Sequence, residues 1–319
     1  MWLPIMGAIS DSIGRRPTPA AGRSFAIAYL GDHMNVQHSA APLGAEITGL
    51  DLAQPLDEAA FRAIEDVFHE RGVIVFRDQQ LTEDEHIAFS RRFGELEIHV
   101  AKHYLKPGHP EILVLSNVIE NGRHIGAHDA GQYWHSDLSF VASPSRCSLL
   151  YAIEVPTQDG RVLGETLFAG AAHAYDTLPD SVKARLERAR AIHRYADRYK
   201  KLQETIGREP LSEEQLKKVP DVSHPVIRAH PVTGRKVLFV NEGFTVYVEG
   251  MPRAESDSLL QELFEHIARP EVLYAHQWRQ GDLLMWDNCL VQHRAVHDYE
   301  LPLRRLMHRT TVAGTRRGT

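Results

Sequence analysis

Apolar positions recur at helical spacing early in the chain and at strand spacing later. Phe61, Ile64, Val67 and Phe68 fall at intervals of three, three and one, one stripe of a 3.6-residue helix. Asp57 stands where an N-cap belongs, and Gly72 stands where a left-handed C-cap ends such a helix. Val73 to Phe76 is an unbroken apolar run, short enough for a buried strand. Thr82 and Glu85 have the spacing of a capping box and predict a second helix running to Gly94. Upstream, residues 42–52 (PLGAEITGLDL) read as a strand with a turn, and Ile112 to Leu115 as another strand.

From residue 133 onward short β-like runs dominate, at roughly 147–155, 165–168, 237–241, 272–278, 283–286, 289–293 and 305–312. Many short strands with few intervening helices predict a β-dominated mixed fold, a sandwich or jelly roll with flanking helices. A helical insertion over 179–194 interrupts the series. A charged stretch follows over 195–222, carrying Tyr195, Tyr199, Lys200 and Lys201. Long insertions into β frameworks often serve as lids over sites, or are plain surface excursions. Residues 253–268 carry one more amphipathic helix.

Composition narrows the class. The chain has 319 residues, of which 43% are hydrophobic, enough for a sizeable core. A formal net charge of −6 argues against a basic field for nucleic acid. Cys147 and Cys289 are the only cysteines, which fits a reducing, cytoplasmic setting better than a disulfide framework. No apolar run approaches the ~18 residues of a membrane span. Arg15-Arg16 is followed by Pro17 to Gly22, with no apolar core of a signal sequence. Residues 1–35 read as a weakly ordered extension, with Met34 an alternative start, and residues 36–319 as one domain.

The candidate chemistry begins at Trp134-His135-Ser136-Asp137. In an extended strand, residues two apart face the same side, so His135 and Asp137 can converge on one ion. A His-x-Asp triplet alone is weak, because about one arises by chance in a chain this rich in histidine. A third donor must be distant; His276, His293 and His297 qualify by position, among decoys such as His99, His103, His124, His128 and His308. Asp287 reads as an acceptor for a neighbouring donor or as a turn residue with Asn288. Two histidines and one carboxylate form the facial set of non-haem Fe(II) oxygenases. A strand over 305–312 puts Arg305, Met307 and Arg309 on one face and Arg304, Leu306 and His308 on the other. Arginines on an inner face are costly unless each meets an anion, so this strand reads as two anion clamps.

The chain resembles the TauD/TfdA family of Fe(II)- and 2-oxoglutarate-dependent dioxygenases from about Pro42 to Gly314. The resemblance rests on PLGAEITGLDL (42–52), HIAFSRRFGELEIH (86–99), WHSDLSF (134–140), GETLFA (164–169), WDNCLVQHRA (286–295) and RRLMHRTTVAG (304–314). It implies a double-stranded β-helix, or jelly roll of the clavaminate synthase-like kind, with flanking helices and a lid insertion. It implies that His135, Asp137 and His293 ligate Fe(II), with 2-oxoglutarate and O2 as cosubstrates. Thr166 and Arg305 then match the residues that hold the far carboxylate of 2-oxoglutarate. Arg309 and His99 match substrate-side positions, and Phe244 matches an aromatic wall. Succinate and CO2 are the implied co-products.

Two positions depart from the taurine-using pattern. Lys102 stands where those members carry a tyrosine, and Gly131 where they carry an asparagine. Lys102 with Arg309 points to a plain small anion: an alkyl sulfonate, a sulfate ester or an aryloxyalkanoate. The resemblance also implies a homo-oligomer. The competing readings are a jelly-roll binding protein with a vestigial metal site and a zinc hydrolase, since zinc accepts the same donors.

Overall fold

The computed structural model describes residues 28–30, 34–100, 102–128, 130–206 and 212–314. Most of the 1–35 extension, including Arg15-Arg16, lies outside the described residues.

The Glu58–Arg71 helix forms where its stripe predicts it. Asp57 accepts the Ala60 N–H at its start, and Gly72, in the left-handed region at φ 67°, donates to Phe68 O at its end. The Glu83–Arg91 helix opens on the expected Thr82/Glu85 capping box. It ends at Arg91 rather than Gly94: the Arg92, Phe93 and Gly94 N–H groups reach back only three residues, in a tightened final turn.

Two sheets face each other. Nine described strands form the larger, in the order Ala28–Leu30, Met34–His38, Ala45–Thr48, Val73–Phe76, Leu283–Asp287, Cys147–Glu154, Leu306–Val312, His109–Ser116 and Leu105–Lys106. Only the Ala45–Thr48 and Val73–Phe76 pair is parallel. The smaller sheet runs Leu273–His276, Thr166–Gly170, Val291–Ala295. His135 extends it through reciprocal backbone bonds with His293 at 3.1 and 2.8 Å.

The continuous apolar runs have a two-sided explanation. Ile74, Phe76, Leu283 and Met285 pack under the two N-terminal helices with Phe61, Ile64 and Phe68. Their alternates Val73, Val75, Leu284 and Trp286 face the smaller sheet with Phe168, Trp278 and Val291. Central strands covered on both faces lose the polar alternation of half-exposed ones. This is a jelly roll with the two N-terminal helices on one flank.

The insertion differs from the helix expected over 179–194. Only Asp180–Leu186 is helical; Arg190–His193 is a strand, paired with Val222–Pro225 on one side and Thr245–Val248 on the other. Good helix formers yield here because the strand buries Ala191 and Ile192 between two partners, and propensity is a weak prior against such packing. The charged stretch holds two helices, Tyr195–Ile206 and Glu213–Lys218. The Arg253–Ile267 helix packs Leu259, Leu260 and Leu263 onto this region with Trp134 and Val226. No helix among the described residues is long and apolar enough to cross a membrane.

Candidate metal centre and anion pockets

His135, Asp137 and His293 converge between the sheets, all buried, with one donor atom of each within 4.8 Å of the others. His135 Nε2 lies 3.7 Å from Asp137 Oδ1, and His293 Nε2 lies 3.9 Å from Asp137 Oδ2. Two donors bonded at ~2.1 Å to one ion sit ~3–4 Å apart, so the spacing fits a shared metal. The other candidates are placed elsewhere. His297 is exposed, and His276 is bonded through Nε2 to Asp282 at 3.1 Å.

The protonation states suit ligation. His135 Nδ1 lies 2.9 Å from the Tyr133 carbonyl. A carbonyl only accepts, so Nδ1 carries the proton and Nε2 keeps its lone pair toward Asp137. Burial holds both imidazoles below their ordinary pKa and therefore neutral. Burial would raise the Asp137 carboxyl, but the Arg309 guanidinium, His293, His135 and the Ser148 hydroxyl outweigh it and hold it below the usual carboxylate range. His293 Nδ1 has no hydrogen-bond partner. Packing orients that ring instead, with Trp286 at 4.7 Å and Phe168 at 6.1 Å between ring centres.

Asn288 organises the carboxylate. Its Oδ1 accepts from the Asp137 N–H at 3.1 Å and from Trp286 Nε1 at 3.0 Å. Its Nδ2 donates to the Ser145 and Ser148 hydroxyls at 3.0 and 3.2 Å. Those hydroxyls in turn donate to the Asp137 carbonyl at 2.9 Å and to Oδ2 at 2.7 Å. Directly after Asp137, Leu138 turns the chain with φ 54°, a left-handed conformation that costs a non-glycine residue ~1–2 kcal/mol.

Neither Asn288 nor the two serines was a sequence candidate. The only signal for Asn288 is adjacency to Asp287, which itself bonds elsewhere, to His230 Nε2 at 2.9 Å and to the Cys289 N–H at 2.8 Å, and the serines carry none. His230, Asp287 and Cys289 form a second donor cluster. There His230 Nδ1 accepts from the Thr233 N–H, so Nε2 holds the proton given to Asp287. That tautomer leaves no imidazole lone pair for a metal.

Of the predicted clamps, Arg309 lies in the Leu306–Val312 strand and Arg305 just before it, its N–H bonded to Asn117 Oδ1 at 2.8 Å. Arg305 is 7% exposed, and its Nε has no hydrogen-bond partner. Its guanidinium carbon lies 5.9 Å from the ring centres of Trp278 and Tyr299. Trp278 Nε1 donates to Thr166 Oγ1 at 3.0 Å, so Thr166 and Arg305 border the same indole. Arg309 donates from Nη1 to Asp137 Oδ1 at 3.2 Å, while its Nε is buried without a partner. Arg304 lies on the opposite face, exposed and forked onto Glu154 at 2.7 and 3.0 Å.

A cavity of about 1290 Å³ opens onto Asp137 and Arg309, with His99, Phe140, Tyr195 and His224 among its walls. Phe244 is buried beside the centre, 6.2 Å from His135 and 4.7 Å from Phe140 between ring centres. Lys102 is exposed on the Lys102–Tyr104 turn and does not line the cavity.

The sequence profile of the taurine catabolism dioxygenase TauD, TfdA family matches residues 35–311. An alpha-ketoglutarate-dependent 2,4-dichlorophenoxyacetate dioxygenase of Burkholderia sp. (strain RASC) is 38% identical over 281 residues, covering 85% of this chain and 91% of that protein. The crystal structure of AAD-2 in complex with Mn(II) and N-oxalylglycine is similar with a TM-score of 0.76 and 30% identity, over 90% of this chain and 98% of that one. A taurine dioxygenase from Burkholderia xenovorans is similar with a TM-score of 0.73 and 30% identity, over 89% and 90% of the two chains.

Proposed function

Because the chain belongs to the TauD/TfdA dioxygenase family, we propose that it hydroxylates a small anionic organic molecule using Fe(II), 2-oxoglutarate and O2, releasing succinate and CO2. The observation that carries this is the buried pair of neutral imidazoles with one ionised carboxylate, on which Arg309 rests, while Arg309 and Arg305 each keep a buried donor unpaired. A vestigial-site binding protein is not favoured, since all three donors are of ligand type and converge. A zinc hydrolase does not account for Arg305, whose burial asks for an anionic partner.

His135, Asp137 and His293 would hold the iron, which with 2-oxoglutarate and O2 supplies the oxidising chemistry. Thr166 and Arg305 hold the far carboxylate of 2-oxoglutarate, Arg305 as a planar fork suited to bidentate contact. Arg309 orients the substrate anion through the donors it does not give to Asp137, with His99 beside it. Phe140, Tyr195 and Phe244 supply apolar walls that keep water from the reacting carbon.

Among substrates, an aryloxyalkanoate fits best. The cavity of about 1290 Å³ far exceeds what a two-carbon sulfonate fills. The aromatic walls suit a ring, and Gly131 and Lys102 do not supply the asparagine and tyrosine of taurine users. The 38% identical relative is named for 2,4-dichlorophenoxyacetate. Lys102 would act at the cavity mouth rather than in its wall. A cytoplasmic homo-oligomer completes the proposal, checked by fractionation and light scattering.

The test is succinate release by the purified protein with Fe(II), ascorbate and 2-oxoglutarate in air. The panel holds phenoxyacetates, longer alkyl sulfonates, alkyl sulfates and taurine. Stimulation by phenoxyacetates with little by taurine is expected. Stimulation by taurine above the phenoxyacetates would reject the aryl assignment.

A further inference from the structure

The Tyr195–Ile206 helix touches the metal-ligand segment at both of its ends. The Tyr195 ring lies 4.6 Å from that of Phe140, three residues after Asp137. The Arg198 guanidinium lies 3.5 Å from the centre of the Tyr133 ring, two residues before His135. Positions three apart are neighbours on a helix surface, so one helix face grips both flanks of the His135–Asp137 segment.

Tyr133 is the sensitive point. Its carbonyl takes the Nδ1 proton of His135 at 2.9 Å and so sets the tautomer. Its ring lies so close to the Gly243 backbone that a Cβ there would come within 2.5 Å. Arg198 Nε is buried without a hydrogen-bond partner, leaving the aromatic face as the contact its cation makes. A cation–π contact is worth ~0.5–1 kcal/mol when exposed and ~2 kcal/mol when desolvated, and this half-buried one lies between. The base of the insertion is fixed as well. The Arg194 N–H donates to Phe244 O at 2.8 Å, and the Arg194 guanidinium forks onto Asp221 at 2.8 and 2.6 Å, joining the two ends of the excursion.

We infer that this helix is a brace for the metal centre. Tyr195 and Arg198 are positioning residues: they hold Phe140 and Tyr133, and through them the Asp137 carboxylate and the His135 imidazole. Tyr195 also lines the substrate cavity, so the element that meets the substrate is the one that holds the ligand segment in place. The inference rests on the metal-centre reading above.

Mn(II) titration followed by electron paramagnetic resonance tests it without turnover. Wild type, Tyr195→Ala, Arg198→Ala and Arg198→Lys are compared, with circular dichroism melts to check the fold. Loss of an outer partner of a ligating histidine weakens metal binding ~10–100-fold. The expectation is about a ten-fold loss, at the low end of that range, in Tyr195→Ala and Arg198→Ala, with a changed Mn(II) spectrum. Arg198→Lys, which keeps the cation, stays near wild type. If Tyr195→Ala does not fold, Tyr195→Leu replaces it, keeping bulk and losing the ring.

Charge alone predicts the opposite sign, because removing a cation near a metal dication tightens binding. Unchanged or tighter Mn(II) binding in both alanine variants, whatever their melting temperatures, overturns the brace. A wild type that binds no Mn(II) overturns the metal-centre reading itself, and the brace with it.

Discussion

Asn288→Ala removes the hub that holds the Asp137 carboxylate. Two buried donors lose their acceptor, the Asp137 N–H at 3.1 Å and Trp286 Nε1 at 3.0 Å. Each orphaned buried donor costs ~1–3 kcal/mol, so the metal-free protein should lose ~2–6 kcal/mol. The Ser145 and Ser148 hydroxyls lose a donor each but still donate to Asp137, and they add little. A mid-range loss of ~4 kcal/mol lowers the melting temperature by roughly 6 °C in a chain of 319 residues. The Asp137 carboxylate keeps Ser148 and Arg309 but loses the anchor on its own N–H, and metal affinity should fall a further ~10–100-fold. Urea unfolding of the metal-free variant reads the first effect as a lower midpoint at unchanged slope, and Mn(II) titration reads the second. A stability change within ~0.5 kcal/mol, as for an ordinary surface substitution, together with wild-type Mn(II) binding, would refute the hub.

Other expectations follow from single residues. Arg305→Ala should raise the KM for 2-oxoglutarate by roughly 10- to 100-fold, the worth of a hydrogen-bonded charged contact at ~1.5–3 kcal/mol, with a smaller change for the primary substrate; the reverse pattern in steady-state kinetics would exchange the two clamps. Arg309→Ala should raise the primary-substrate KM or release succinate without hydroxylated product, which paired product assays detect; unchanged coupling and KM would remove it from the substrate site. Burial pushes His86 down to about 3 from an ordinary 6.5. The unfolded chain therefore takes up that proton near pH 6.5 while the folded one does not, and the stability it contributes is complete above pH 6.5 and lost as pH falls toward 3. Between pH 6.5 and 5 this single group should account for about 2 kcal/mol, so urea midpoints of His86→Asn should fall less steeply over that window; parallel slopes would reject the assignment.

Much of the fold was legible because local and global signals agree. The Asp57 cap, the Phe61 to Phe68 stripe and Gly72 all predict the same helix, and it forms there. Most strands of the two sheets were visible as runs, although the run at 289–293 forms its strand later, at Val291–Ala295, and Ala28–Leu30, Met34–His38 and Leu105–Lys106 were not read as strands. The segment over 179–194 misled because its residues favour helix in isolation. What decides it is the pair of strands on either side of Arg190–His193, contributed from 222–225 and 245–248, and no local pattern encodes that.

The site divides in the same way. His135 and Asp137 were visible as a period-of-two pair, and Arg305 and Arg309 as a strand face. Residue chemistry alone left His276, His293 and His297 open as the third donor; the family resemblance picked out His293, and the bridge between His135 and His293 is the contact that brings it to the other two. Ser148 was hidden as a lone polar residue inside an apolar strand, and Asn288 as an ordinary turn residue after Leu283–Asp287. Its meaning comes from partners about 140 to 150 residues away in sequence, at Asp137 and Ser148.

The donor set itself is tested most directly by counting metal. Mn(II) titration of the purified wild type should give one tightly held ion per chain, lost in His135→Ala, Asp137→Ala and His293→Ala and kept in His276→Ala and His297→Ala. Retention of the ion in any of the first three, or its loss in His297→Ala, would contradict the centre described here.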